Sequence, residues 1–128
     1  MKLPPWMRVT MGATALMNLV GALAFLPSAQ ALRDFGGFPD AAHPLYLTTV
    51  GLFIFIFGVA YLWVAVTGRA ERLFVAVAAA GKLGFVGLLV LYGATGTLPL
   101  NAMLAGTGDL LFGLLFLLWL YRVRSSVA

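Results

Sequence analysis

Two charged residues interrupt the apolar second half of the chain. Lys82 and Asp109 are the only charges between residues 73 and 121, and Asn18 lies in a stretch that carries no charge from residue 9 to residue 26. An ammonium and a carboxylate inside apolar segments form either a functional site or a salt bridge that locks two helices together. The residue types leave both interpretations open, with Asn18 as a third polar candidate.

A second polar group lies in the segment from Pro27 to Pro44. Asp40 and His43 are three residues apart and could share one helical turn as metal ligands. Two ligands are fewer than a metal site needs. We therefore expect this segment to form a hydrogen-bonded lid over the mouth of the fold, and we predict no metal.

The chain has no cysteine and one histidine, which narrows the chemistry further. Without cysteine there is no disulfide, no thiol redox chemistry and no thiolate metal site. With one histidine, a single subunit cannot supply the two imidazoles of a bis-histidine haem. The residues form no nucleophile constellation, so the sequence does not favour an enzyme acting alone, and it identifies no cofactor.

The composition is that of a membrane protein. Of 128 residues, 62% are hydrophobic and 9% are charged, with a mean hydropathy of +1.03, whereas soluble domains carry roughly 25% charged residues. Four membrane spans of about 20 residues would take roughly 80 positions. The remainder is too short for a soluble catalytic domain, so we predict an all-α integral membrane bundle that forms a single domain over residues 1–128.

The charge-free stretches place four transmembrane helices. We predict them at about residues 6–26, 45–67, 73–92 and 100–121, with an outer lid loop over residues 27–44. A competing interpretation takes residues 1–31 as a cleaved signal, because residues 29–31 have the form of a cleavage site. The length of the apolar run, and its polar Thr10, Thr14 and Asn18, favour a retained helix.

Basic residues predict the orientation. Six lysines and arginines flank the chain ends and the link between helices 2 and 3, whereas Arg33 is alone in the loops on the other side. The positive-inside rule then puts both termini in the cytoplasm and predicts a multi-pass protein of the bacterial inner membrane. The net charge of +4 fits this distribution, so no nucleic-acid partner is expected. Interfacial aromatics are expected at Trp6, Trp63, Trp119 and Tyr121 on the inner side and at Tyr46 and Tyr92 on the outer side.

Spacing predicts which faces point inward. Asp109 lies on a small-residue face of helix 4, where another helix can approach closely. Tyr61 on helix 2 is expected to be interfacial or bonded to backbone. One stripe of helix 1 is expected to face the bundle: Met7, Met11, Thr14, Asn18, Gly21 and Phe25.

The depth of Lys82 determines the orientation of helix 3. Lys82 lies nine residues from the predicted start of this helix, roughly 13 Å deep at 1.5 Å per residue, so its ammonium cannot reach the interface. It is expected to face inward, where Asp109 and Asn18 lie at a similar depth. The opposite ridge would then face lipid, a second copy or a partner subunit. That ridge consists of Ala76, Ala80, Gly84 and Gly87.

Short motifs along most of the chain resemble the small bacterial four-helix membrane proteins of the DoxX-like kind. The resemblance implies a four-helix bundle, and a few members of that family look like membrane subunits of oxidoreductases that transfer electrons from sulfur compounds to quinone. No catalytic residue can be transferred from it. The motifs are Asn18-x-x-Gly21, Phe25-Leu26-Pro27, His43-Pro44, Phe57-Gly-x-x-Tyr61, Gly81-Lys82 and Gly108-Asp109-Leu-Leu-Phe112.

Two functions follow as hypotheses. The first is a scaffold or accessory subunit that binds a membrane partner, a quinone or a lipid, because the chain has neither a redox ligand set nor a nucleophile. The alternative is a small transporter or channel whose site is Asn18, Lys82 and Asp109, reached from the outer side beneath the lid. Besides the lipid bilayer itself, the expected interaction through the helix 3 ridge is with a second copy of the chain or with a partner membrane subunit.

Overall fold

The computed structural model describes residues 1–40 and 43–124, so two positions of the predicted lid and the last four residues of the chain lie outside the described ranges. Within these ranges the regular structure is helical, with one isolated bridge between Lys2 and Arg69. Two 3₁₀ turns, Leu23–Phe25 and Pro27–Ala29, follow the first helix. The α-helices are α1 (Pro5–Ala22), α2 (Gln30–Phe35), α3 (Pro44–Thr67), α4 (Arg72–Ala94), α5 (Leu100–Leu104) and α6 (Thr107–Arg124).

Four helical segments are long and apolar enough to cross a membrane. Each has between 21 and 25 residues, with a mean hydropathy between 1.3 and 2.3 over its most apolar stretch. This length matches a hydrocarbon core of about 30 Å at 1.5 Å per residue. The prediction of an all-helical fold with four helices that could span a membrane is confirmed. The spans are Pro5–Phe25, Pro44–Thr67, Arg72–Ala94 and Leu100–Arg124.

Local sequence signals set the ends of α3. Pro44 occupies the first turn, where its missing N–H would have no partner in any case. The Nδ1 atom of His43 accepts a hydrogen bond of 3.1 Å from the backbone N–H of Leu45. At the other end, Gly68 has a φ of 70°, the left-handed conformation that glycine adopts without steric cost. These signals explain why α3 begins and ends close to the predicted bounds of 45–67.

The spans pack as two close pairs, α1 with α3 and α4 with α6, which meet where α1 contacts α6. Glycines allow each close approach. A Cβ atom built on Gly58 of α3 would lie 3.1 Å from the Cβ of Asn18, and one on Gly113 of α6 would lie 2.8 Å from the Cγ of Leu83. Small residues at such positions let the backbones of membrane helices come together.

The best-packed part of the core lies in the half of the bundle nearest the chain termini. Met7 and Met11 have no exposed surface, in agreement with the predicted inward stripe of helix 1. Phe116 and Trp119 of α6 pack into the same cluster. Trp119 is 1% exposed, so the expectation that it would lie at the membrane interface is wrong. Its indole belongs to the same buried cluster as Met7 and Met11 of α1.

The two ends of the bundle differ in charge. One end holds Met1 and the last turn of α6, and we call it the basic end. Its charged side chains are Lys2, Arg8, Arg69, Glu71, Arg72, Arg122 and Arg124. There Arg8 donates hydrogen bonds of 3.0 and 3.1 Å to the carbonyls of Ala65 and Val66. The opposite end, the loop end, is formed by residues 23–40, His43 and residues 95–99. There the Nδ2 atom of Asn101 donates to the carbonyl of Phe35 at 3.2 Å, which joins the two loops.

The fourth span differs from the continuous helix predicted over residues 100–121. It consists of α5 and α6, separated by a turn at residues 105 and 106. Glycine favours helix poorly, and Gly106 and Gly108 flank the start of α6. A Cβ on Gly106 would lie 2.6 Å from the Cδ1 of Leu89, so this glycine also allows close contact with α4. The expectation of an unbroken fourth helix is therefore wrong.

Candidate functional site

The structure brings together the three polar residues singled out in the sequence. The ammonium of Lys82 on α4 donates to Asp109 Oδ1 at 3.0 Å and to Asn18 Oδ1 at 3.4 Å. Asp109 comes from α6 and Asn18 from α1. We call these residues the polar triad. Its distances are those of a salt bridge supplemented by one longer hydrogen bond from the ammonium to an amide oxygen.

Asn18 extends the polar triad to the remaining span. Its Nδ2 atom donates a hydrogen bond of 3.1 Å to the backbone carbonyl of Ile54 on α3. This contact is possible because Gly58, one turn further along α3, has no side chain where the Cβ of Asn18 approaches. The amide therefore accepts from the ammonium on one side and donates to α3 on the other, so that one polar cluster links all four spans.

Aromatic rings cover the ammonium group. The Nζ atom of Lys82 lies 5.2 Å from the ring centroid of Tyr61 and 5.8 Å from that of Phe112. The negative face of an aromatic ring attracts a cation at such distances. Tyr61 is 2% exposed and packs against Phe116 and Phe74 at centroid distances of 5.8 Å. The expectation that Tyr61 would be interfacial or bonded to backbone is therefore wrong.

A finer reading of spacing could have identified both aromatic residues. Tyr61 follows Gly58 by three residues and Gly51 by ten, so the three share the buried face of α3. Phe112 follows Asp109 by three residues and lies on the same side of α6. An inward-facing glycine or charge therefore marks its neighbours three and four positions away as inward-facing too.

The polar triad is largely closed. Lys82 is 5% exposed and Asp109 is 20% exposed. The break in the fourth span puts Asp109 in the first turn of α6, where the helix dipole favours a negative charge. The carboxylate is thus stabilised by the lysine and by the helix, and the lysine by the carboxylate, an amide oxygen and two rings. Such a closed arrangement suits a structural lock between helices.

The lid is held by Arg33. This side chain is 5% exposed, and its Nη1 atom donates to the carbonyls of Ala24 at 2.8 Å and Leu26 at 2.6 Å. Its Nη2 atom donates to Gln30 Oε1 at 3.0 Å. Carbonyls near the end of a helix lack partners within the helix. Arg33 therefore caps the end of the first span and fixes the lid against it.

The two lid residues considered as metal ligands have separate partners. Asp40 Oδ1 accepts from the Nε2 atom of Gln30 at 3.1 Å, and Asp34 Oδ1 accepts from the same atom at 2.7 Å. His43 uses its Nδ1 atom to cap α3, and its ring meets Tyr46 edge-on at 6.5 Å. Across residues 1–40 and 43–124, no group of three or more His, Cys, Asp or Glu side chains could hold a metal ion.

Fold and site together define the class of this protein as an α-helical bundle with four potential membrane spans and a salt bridge buried between them. No protein-family model matches the chain, and comparisons with curated proteins and with solved structures found no match. Membership of the DoxX-like family therefore stays a prediction from short motifs.

The first prediction concerns the buried salt bridge. Lys82→Met and Asp109→Leu should each lower the thermal stability of the protein in detergent, because removing one partner of a buried pair costs about 3 to 5 kcal/mol. The double variant should recover much of that loss, since apolar replacement of a buried pair is often neutral. Thermal unfolding followed by circular dichroism measures all three. Equal losses in the double variant and the single variants would contradict the pairing.

Proposed function

We propose that this chain is a small multi-pass protein of the bacterial inner membrane that works as a scaffold or accessory subunit, binding a membrane partner, a quinone or a lipid. The closed polar triad supports a binding rather than a chemical role, because its ammonium is already paired and covered. Of the three kinds of ligand, a protein subunit or a second copy fits the exposed surface of α4.

The observation that carries the proposal is the open face of α4. The ridge of Ala76, Ala80, Gly84 and Gly87 is exposed along its whole length. A Cβ atom built on Gly84, Gly87 or the neighbouring Gly81 would meet no atom within 4 Å. In contrast, a Cβ on Gly113 would clash with Leu83. Gly113 of α6 thus serves packing inside the bundle, whereas Gly81, Gly84 and Gly87 of α4 meet nothing within it.

Glycines on the outward face of α4 lower the stability of the helix if the bundle is alone in the membrane. Each glycine in a helix interior is less favourable than alanine by about 0.8 to 1.0 kcal/mol, and it offers little surface to lipid. Close packing against another membrane helix offsets this cost, because association in a bilayer depends on intimate van der Waals contact between backbones. The ridge is therefore best suited to a helix of another subunit or of a second copy.

The second prediction tests this surface. The purified protein in mild detergent should carry a second copy or a partner subunit, and Gly84→Leu should weaken that association about tenfold or more, a loss of ~1.4 kcal/mol. Light scattering coupled to size-exclusion chromatography measures the mass of the complex.

Ala13→Leu is the matched control for Gly84→Leu, because Ala13 is an exposed small residue on α1, and it should leave the complex intact. Gly113→Leu should instead unfold the bundle, since it meets Leu83. The interface would be refuted if the Gly84→Leu variant kept the mass of the wild-type complex. It would also be refuted if the wild-type protein ran as a single chain.

The third prediction concerns orientation. We propose that the basic end faces the cytoplasm, because its six basic side chains outnumber one acidic residue, Glu71. A single cysteine replacing Ser28 should then react with an impermeant thiol reagent in intact cells, and one replacing Arg69 should react only after lysis. The natural chain has no cysteine to interfere. The reverse labelling pattern would invert the topology.

A second candidate function, a small transporter or channel, is favoured by the break in the fourth span. Interrupted helices in transporters place helix ends at substrate or ion sites near the bilayer midplane. Here α6 begins at Thr107, two residues before Asp109, and 20% of the Asp109 side chain is exposed. Asn18 and Lys82 complete the site that this function would use.

The fourth prediction separates the two functions. In liposomes that contain a pH-sensitive dye, the wild-type protein should conduct protons no faster than the folded Lys82→Met/Asp109→Leu double variant if the polar triad is a lock. Parallel vesicles without protein give the background leak. Flux in the wild type that exceeds this background and disappears in the double variant would favour the transporter instead.

A further inference from the structure

A cleft on the side of the bundle separates α3 from α4. Its volume is about 390 Å³, and its walls include Ile56 and Ala60 of α3 and Val77 of α4. Sites that bury a small organic ligand measure about 300 to 1,000 Å³. The cleft is therefore large enough for one ligand, and its lining includes no residue of the polar triad or of the outward ridge of α4.

Two aromatic rings close the cleft on its inner side. Phe57 and Phe74 stack with a centroid distance of 6.3 Å and an interplanar angle of 15°. Tyr61 lies behind them, against Phe116 of the core. The outer rim is open, since Ile56 and Val77 are each about half exposed. The cleft thus faces the surroundings of the bundle rather than its interior.

In a bilayer the surroundings of this part of the bundle are hydrocarbon, so an apolar occupant suits the cleft. The cleft runs from Glu71 to Val77, six residues or roughly 9 Å along α4. Apart from Glu71 the lining residues are apolar, which agrees with an occupant that is a chain without polar groups.

Charged residues at the mouth of the cleft indicate which headgroup a lipid bound there would carry. Glu71 lines the mouth, and Arg72 follows it at the first position of α4. The side chains of Arg69 and Arg72 are exposed, and among the described residues neither guanidinium has a hydrogen bond or ion pair. Two free guanidinium groups against one carboxylate leave a net positive charge, which attracts a phosphate diester.

We propose that the cleft between α3 and α4 binds one acyl chain of an anionic glycerophospholipid whose phosphate is held by Arg72. The chain would lie over the stacked rings of Phe57 and Phe74, and the headgroup would lie at the basic end. This inference requires the bundle to sit in a bilayer. It does not require the α4 ridge to bind a partner, so either proposal can fail without the other.

The fifth prediction uses native mass spectrometry. Protein reconstituted in equal amounts of phosphatidylglycerol and phosphatidylcholine, then released in mild detergent, should retain one phosphatidylglycerol. Ala60→Phe should remove the bound lipid, because the new ring fills the cleft. Arg72→Gln should lower retention of phosphatidylglycerol about fivefold, the ratio expected for one basic residue at a membrane surface, and leave phosphatidylcholine unchanged.

Matched controls separate this site from general lipid contact. Ala13→Phe adds the same ring to an exposed position of α1, and Arg124→Gln removes a basic residue at the end of α6; both should retain the lipid. Arg72→Gln changes an exposed side chain, so it remains informative if Ala60→Phe fails to fold. Three results would each overturn the proposal. The first is lipid retention that Arg72→Gln leaves unchanged, and the second is retention of a quinone in place of the phospholipid. The third is that Ala60→Phe removes a second copy of the chain without removing the lipid.

Discussion

The pairing of one buried ammonium is the constraint on which the arrangement of the four spans depends. A bilayer core offers no water to a charged side chain, so Lys82 needs its partners inside the protein. Asp109 supplies the charge and Asn18 an amide oxygen that also ties the cluster to α3. Because these contacts come from four different spans, a rotation of any one helix would break at least one of them.

Packing on either side of the polar triad supports the same geometry. Towards the basic end, methionines and aromatic rings fill the space between α1, α3 and α6, with Phe116 fully buried. Towards the loop end, Arg33 caps the first span and the Asn101 amide joins the two loops. The salt bridge therefore lies between an apolar core and a hydrogen-bonded lid, both of which keep the helix ends in place.

The helix that carries the lysine is packed on one side only. Lys82 turns one face of α4 inward, which leaves Gly84 and its neighbours on the outside and an open cleft beside α3. The burial of Lys82 and the exposure of the small-residue ridge thus both result from the orientation of α4 about its own axis. This asymmetry makes α4 the element on which the proposed scaffold function and the proposed lipid site both depend.

The sequence by itself determined the class of the fold, the number of potential spans and the inward direction of Lys82. These follow from local properties, namely hydropathy summed over about 20 residues and the fixed rise of a helix. Tyr61, Phe112, the buried Trp119 and the break at residues 105 and 106 were decided only by the tertiary structure. The reason is physical: which neighbour a residue meets depends on how two helices rotate and approach each other, and that depends on side chains distant in sequence, such as Leu89 against Gly106.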